Sequence, residues 1–388
     1  MHIKSKASFS GFTVAEMLVA ILVGSLVLAG AVDVFSRSMN ATWVVSQKAE
    51  MQQDARAAIN LMTKDIRMAG AGLPSGGVAL ANGTGVSPAY GLDYTGTGHL
   101  GASNNAGLNF PVLNGSTVPF LYGVIPGCLQ GITPTGAAAA TDVITTVYAD
   151  QTFPWQNYSV TFNNTSGTSV TFTDNSPATD PAINNTGVGL QPGDLVLFQA
   201  QIGNGTTATT GYAVADVTSA APAGAGPTYT VLFANNDALK VNQTAATAND
   251  LKQIVTNVGA VAPTTLATRI WAITYYLWNQ PNPSGGTAIP VLMRQVNART
   301  PVPVTENVVN LKFTYDTFDS GGNLVGQSCT AGLPLVSPNE IRQINVVHVT
   351  LRGELSGVRT SYVGTRGYQS VDLQASLSAR NLSFTQRY

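Results

Sequence analysis

Hydrophobic positions fall into three regimes along the 388-residue chain. Residues 12–32, FTVAEMLVAILVGSLVLAGAV, are apolar almost throughout, and Glu16 is their one charged side chain. As a helix rising 1.5 Å per residue they would span about 32 Å, close to the hydrocarbon core of a bilayer. No proline then occurs before Pro74, and residues 33–69 are rich in helix formers, as in QKAEMQQDARAAINLMTKDIRMA. Met51, Ala55, Ala58, Ile59, Met62 and Ile66 recur at three- and four-residue spacing and fill one stripe of a helical wheel. Phe35, Met39 and Trp43 fall on a different face. The upper half of the helix is therefore expected to pack on a folded domain, and the lower half to present a separate face. Gly70, Gly72 and Pro74 should end it.

After the helix the pattern becomes strand-like. Residues 75–265 read as short strands, 142–148, 168–173, 194–202 and 227–233, among Gly, Asn, Thr and Pro turns. Stretches near 75–107, 174–190 and 235–265 show little periodicity and read as loops. From 266 the strands lengthen: 269–278, 289–295, 304–316, 341–352 and 369–384, with a turn at Asp319–Asn323. The fold class is α+β, a long N-terminal membrane and spine helix followed by a large, mostly antiparallel β-rich domain. The expected divisions are 1–11, 12–32, 33–72, 73–265 and 266–388.

Composition narrows the chemistry. Nineteen Lys and Arg stand against twenty Asp and Glu, so nothing electrostatic points to nucleic acid as a partner. Two cysteines, Cys128 and Cys329, and three histidines, His2, His99 and His348, lack the short spacings of a zinc site. The cysteines either form one long-range disulfide on an oxidising side of a membrane or remain two buried thiols. Gly96–Gly101 matches GxGxxG but follows no strand and opens no helix, which makes it a turn. His348 falls on the polar face of an alternating strand. Asp316, Asp319 and Asn323 fit a hairpin better than a calcium loop. Aromatics at 271–278 suit a strand core better than a ligand platform. No catalytic residue, cofactor or metal is expected, and the chain reads as a non-enzyme.

The amino terminus is more specific. MHIKSKASFSG carries Lys4 and Lys6 and no acid, which holds it on the cytoplasmic side and directs the rest outward. An ordinary secretory signal would be cut after the apolar run, near Ala29–Ala31. Glu16 argues otherwise, because an acid inside a membrane segment is a functional residue by default and needs a partner.

Gly11-Phe12-Thr13-Val14-Ala15-Glu16 resembles the type IV prepilin signal. That resemblance implies cleavage between Gly11 and Phe12 by a prepilin peptidase and N-methylation of Phe12. It also implies pairing of Glu16 with a neighbouring subunit's new amino terminus. Further pieces resemble the PilW-type minor pilins, and loosely the J-type minor pseudopilins of type II secretion. They are Asp65–Gly70 (DIRMAG), Gln191–Leu197 (QPGDLVL), Tyr275-Tyr276, Leu292-Met293-Arg294, Glu306–Leu311, Tyr315-Asp316, Arg352 and Arg380-Asn381-Leu382. Residues 75–265 are where the chain departs from the family pattern. The resemblance implies a minor pilin held in the bacterial inner membrane, with its C-terminal domain periplasmic. From there it would enter the pilus at the cell surface, with pilus assembly, twitching motility and cell adhesion as the associated processes. Its partners would be other minor pilins, the major pilin and the inner-membrane assembly platform. A pseudopilin of a secretion system, or an adhesin displaying residues 73–265, remain the alternatives.

Overall fold

The computed structural model describes residues 11–74, 76–83, 87–91, 108–112, 117–134, 139–202, 209–222, 227–235, 237–243, 249–256, 265–283, 285, 288–297, 299–318, 323–326, 329, 341–354, 368–379 and 381–382. One helix, α1 (Val14–Met68), runs for 55 residues, about 80 Å at helical rise. The strands that follow are β1 (Val78–Ala79), β2 (Ala89–Gly91), β3 (Leu108–Asn109), β4 (Phe120–Leu121), β5 (Val124–Gly127) and β6 (Val143–Ala149). Next come β7 (Tyr158–Phe162), β8 (Ser169–Asp174), β9 (Leu195–Ile202), β10 (Thr209–Asp216), β11 (Ser219–Pro222) and β12 (Thr228–Leu232). A short helix, α2 (Leu251–Thr256), precedes β13 (Leu266–Gln280), β14 (Ile289–Val296), β15 (Val302–Glu306) and β16 (Val308–Phe318). The chain closes with β17 (Leu324–Gly326), β18 (Ile341–Glu354), β19 (Tyr368–Leu373) and β20 (Ser376–Leu377).

Two compact units emerge: residues 54–352 with 370–388, and residues 1–53 with 353–369. The larger unit is built on a seven-stranded antiparallel sheet ordered β10-β9-β13-β14-β15, with β6 on β13 and β5 on β6. The 15-residue β13 is its organiser. Its start pairs with β9, its middle with β6 and its end with β14. Strands from both sides of position 265 thus share one sheet.

The continuous apolar run of β9 has a simple cause: both of its faces are covered. Leu195 and Leu197 face one core, which also holds Ala55, Ala58, Ile59, Met62 and Ile66 of α1. Val196, Phe198 and Ala200 face a second core, closed by the four-stranded sheet β11-β12-β8-β7 through Val170, Phe172 and Val231. The opposite face of β8 carries Ser169, Thr171 and Thr173, part-exposed, as alternation requires.

Three expectations need correction. The stretch 304–316 is not one strand. Asn307 adopts a positive φ of 60°, and β15 and β16 on either side of it enter different sheets. The described part of 369–384 breaks into β19, β20 and a helical residue pair, Asn381 and Leu382. The supposed loops near 75–107 and 235–265 contain β1 and β2 and α2 respectively, and β3, β4, β5, β7, β10 and β11 had not been foreseen. The GxGxxG string at 96–101, His2, His99, residues 319–322 and the His348 side chain lie outside the described residues.

Candidate functional site

The N-terminal end of α1 carries the residues singled out from the sequence. Gly11 and Phe12 precede the first turn, and Thr13 caps it reciprocally with Glu16. Thr13 N–H and Thr13 Oγ1 both donate to Glu16 Oε2 at 2.9 Å, and Glu16 N–H donates to Thr13 Oγ1 at 3.3 Å. This is a capping box, and its T-x-x-E spelling was legible at 13–16 although the sequence reading did not use it. Glu16 therefore helps start the helix, and no basic side chain among the described residues pairs with it.

Residues 11–43 are exposed throughout, including Leu18, Leu22, Leu26, Phe35, Met39 and Trp43. This helix is long and apolar enough to cross a membrane. Asp33 and Arg37, just past the apolar run, form an exposed i,i+4 ion pair at 2.9 Å, a pair type that contributes little to stability.

The other end of α1 is fixed by an interior polar cluster. Asp65, 3% exposed, accepts from the Tyr275 hydroxyl at 2.6 Å and from Arg294 Nε at 2.9 Å. The Tyr148 hydroxyl reaches its other oxygen at 3.5 Å. Burial and the Asp65 charge raise the pKa of Tyr275, and the same two causes push Tyr148 up to about 12, so both hydroxyls stay donors. Burial opposes the charge on Arg294, but the Asp65 carboxylate outweighs it and the guanidinium pKa is raised. Past the helix, Gly70 takes a φ of 79° and donates its N–H to Val147 C=O at 2.8 Å. A Cβ on Gly123 would fall 2.7 Å from the Gly70 backbone, so the close approach needs glycine. Leu382 covers Gly70, and Asn381 Nδ2 reaches Ala69 C=O at 3.5 Å.

Two further devices hold the domain. Arg269 donates to Asp150 Oδ2 from Nε at 3.0 Å and from Nη2 at 2.6 Å, and to Gly189 and Val188 carbonyls. It lies over Trp271 at 4.3 Å; Arg299 lies over the same ring at 5.5 Å and binds Asp194 Oδ1 at 2.5 Å. Aromatics at 271–278 thus serve packing and this stack. Cys128 and Cys329 are joined as a disulfide, their Cα atoms 5.4 Å apart across 201 positions of sequence.

The residues noted as separate sequence fragments are in part neighbours. Asp65, Tyr275 and Arg294 share one cluster; Ala69, Gly70, Asn381 and Leu382 share another; Asp194 anchors the arginine pair. Among the described residues no three metal-ligating side chains gather. A small pocket near Ser166, Asn242 and Asp250 includes none of the predicted site residues. No family model, curated protein or solved structure matches the chain.

Proposed function

We propose that the chain is a non-enzymatic minor subunit of a bacterial type IV pilus, of the PilW type, anchored and assembled through α1. The observation that carries this reading is the division of labour along one helix. Residues 55–66 are buried in the core of the β-rich domain, whereas residues 11–43 expose an apolar surface to whatever surrounds them. Lipid covers such a surface before assembly, and helices of other subunits cover it afterwards.

Cleavage between Gly11 and Phe12, followed by methylation of Phe12, leaves a cationic terminus one helical turn from Glu16. In low dielectric that cation and the Glu16 carboxylate of an adjacent subunit offset each other's desolvation. Thr13 supports this arrangement, because its hydroxyl and N–H fix the carboxylate orientation before any partner arrives. The subunit would sit in the inner membrane with its domain outside, then join minor and major pilins over the assembly platform.

The test is complementation of a strain lacking this gene with Glu16→Gln. The variant should insert and fold, since the domain begins more than about ten helical turns away. It should fail to enter sheared filaments or restore piliation. Normal piliation at equal protein level contradicts the pairing role.

A further inference from the structure

Asp216 closes β10 and is 2% exposed; Asp237, on the loop after β12, is also buried, and Asn242 bridges the two, bonding the Asp216 backbone and donating its own N–H to the Asp237 carboxylate. The loop is closely held. Asp237 Oδ2 accepts Val241 N–H and Oδ1 accepts Asn242 N–H, each at 2.9 Å. Asn242 then clasps the backbone of Asp216. Its Oδ1 accepts Asp216 N–H at 2.9 Å, and its Nδ2 donates to Asp216 C=O at 2.7 Å and Ala234 C=O at 3.0 Å. The same loop reaches a third segment, where Leu239 C=O accepts Ala89 N–H at 2.8 Å and Gln243 Oε1 accepts Gly83 N–H. Residues 237–243 therefore tie the end of β10 to residues 83–91.

What this corner lacks is a donor. Both Asp237 oxygens are engaged by backbone N–H groups, and Asp216 Oδ1 is buried and receives no hydrogen bond among the described residues. Two buried carboxylates close together repel unless a proton or a cation sits between them. Among the described residues, the charged surroundings supply no cation. Asp194, from the turn before β9, adds negative charge and is itself engaged by Arg269 and Arg299. Asp250 at the head of α2 is acidic, and Lys252 of α2 acts on Asp250. Lys240 of the loop is exposed. The other elements against β10, β1 and β9, bring no titratable side chain.

We infer that Asp216 and Asp237 share one proton at neutral pH, and that this proton latches loop 237–243 onto β10 so that the domain tightens in mild acid and loosens in alkali. Burial first, and the Asp237 charge second, push the Asp216 pKa up to about 8; burial raises that of Asp237 as well. An unfolded Asp releases its proton near 3.9. The contribution is thus complete below about pH 4, declines as pH rises, and levels off above about pH 8.

Urea unfolding of the full chain in detergent micelles, from about pH 4.5 to about pH 9, compares wild type with Asp216→Asn. The amide keeps the shape and gives Asp237 a donor that does not titrate. The folded-to-unfolded ratio of wild type relative to the variant should fall by up to about tenfold per pH unit through the middle of that range. A ratio independent of pH overturns the inference. If Asp216→Asn does not fold, Asp237→Asn serves the same comparison. Infrared spectra of the wild type decide without either variant, by a protonated-carboxyl band present at neutral pH and lost in alkali. Its absence at neutral pH overturns the inference, as does chelator-reversible stabilisation by calcium that Asp216→Asn abolishes.

Discussion

The Tyr275 hydroxyl donates to Asp65 at 2.6 Å, joining the central strand of the large sheet to the last turn of the long helix across 210 positions of sequence. Both groups are buried, and Arg294 neutralises the carboxylate from the neighbouring strand. Tyr275→Phe should lower stability by about 1.5–3 kcal/mol, the range for a hydrogen bond to a charged group. Asp65→Ala should cost about 2–4 kcal/mol, less than a fully buried pair because Arg294 keeps a quarter of its side chain in water. Urea midpoints at constant m-value check both. Equal stability of wild type and Asp65→Ala would show that the cluster does not hold the helix end.

The helix was legible because its signals are local. Period, absence of proline and the Gly70 stop all lie within the segment, and the buried set Ala55, Ala58, Ile59, Met62 and Ile66 is the predicted stripe, with Met51 only part-buried. β6, β8, β9 and β12 were legible for the same reason, each matching its expected range to within about two residues. The break at Asn307 was not, since a stretch that alternates apolar and polar residues on both sides of one asparagine reads as a single strand. Only the positive φ of that asparagine reveals that the chain changes sheets. The polar clusters were least legible. Arg269 lies 75 positions from Asp194 and 119 from Asp150, and nothing short of the sheet order brings them together.

The Cys128–Cys329 bond closes a loop of about 200 residues, worth about 5 kcal/mol in the chain-entropy model. Thiol labelling of unreduced, unfolded protein should detect no free thiol, and Cys329→Ser should lower the urea midpoint. Two labels per chain would contradict the pairing.

Arg269→Ala should be among the most destabilising single changes in the domain, by about 3–5 kcal/mol, because it leaves the Asp150 and Asp194 carboxylates buried without their shared cation. Burial pushes Asp150 up, but hydrogen bonds from Thr152 and Arg269 outweigh it, and its pKa is lowered. That contribution is present above the unfolded value near 3.9 and is lost as pH falls through the lower folded value. Wild type should therefore lose stability in strong acid, measured by unfolding below about pH 4. A wild-type urea midpoint that Arg269→Ala leaves unchanged would contradict this account of the stack.

The claim on which the proposed function depends is that the working chain begins at Phe12. Mass spectrometry of the amino terminus, on chain recovered from membranes and from sheared filaments, tests it directly. The account predicts a first residue of N-methylated Phe12. A chain that retains Met1, or one that begins after Ala29 or Ala31, would contradict it.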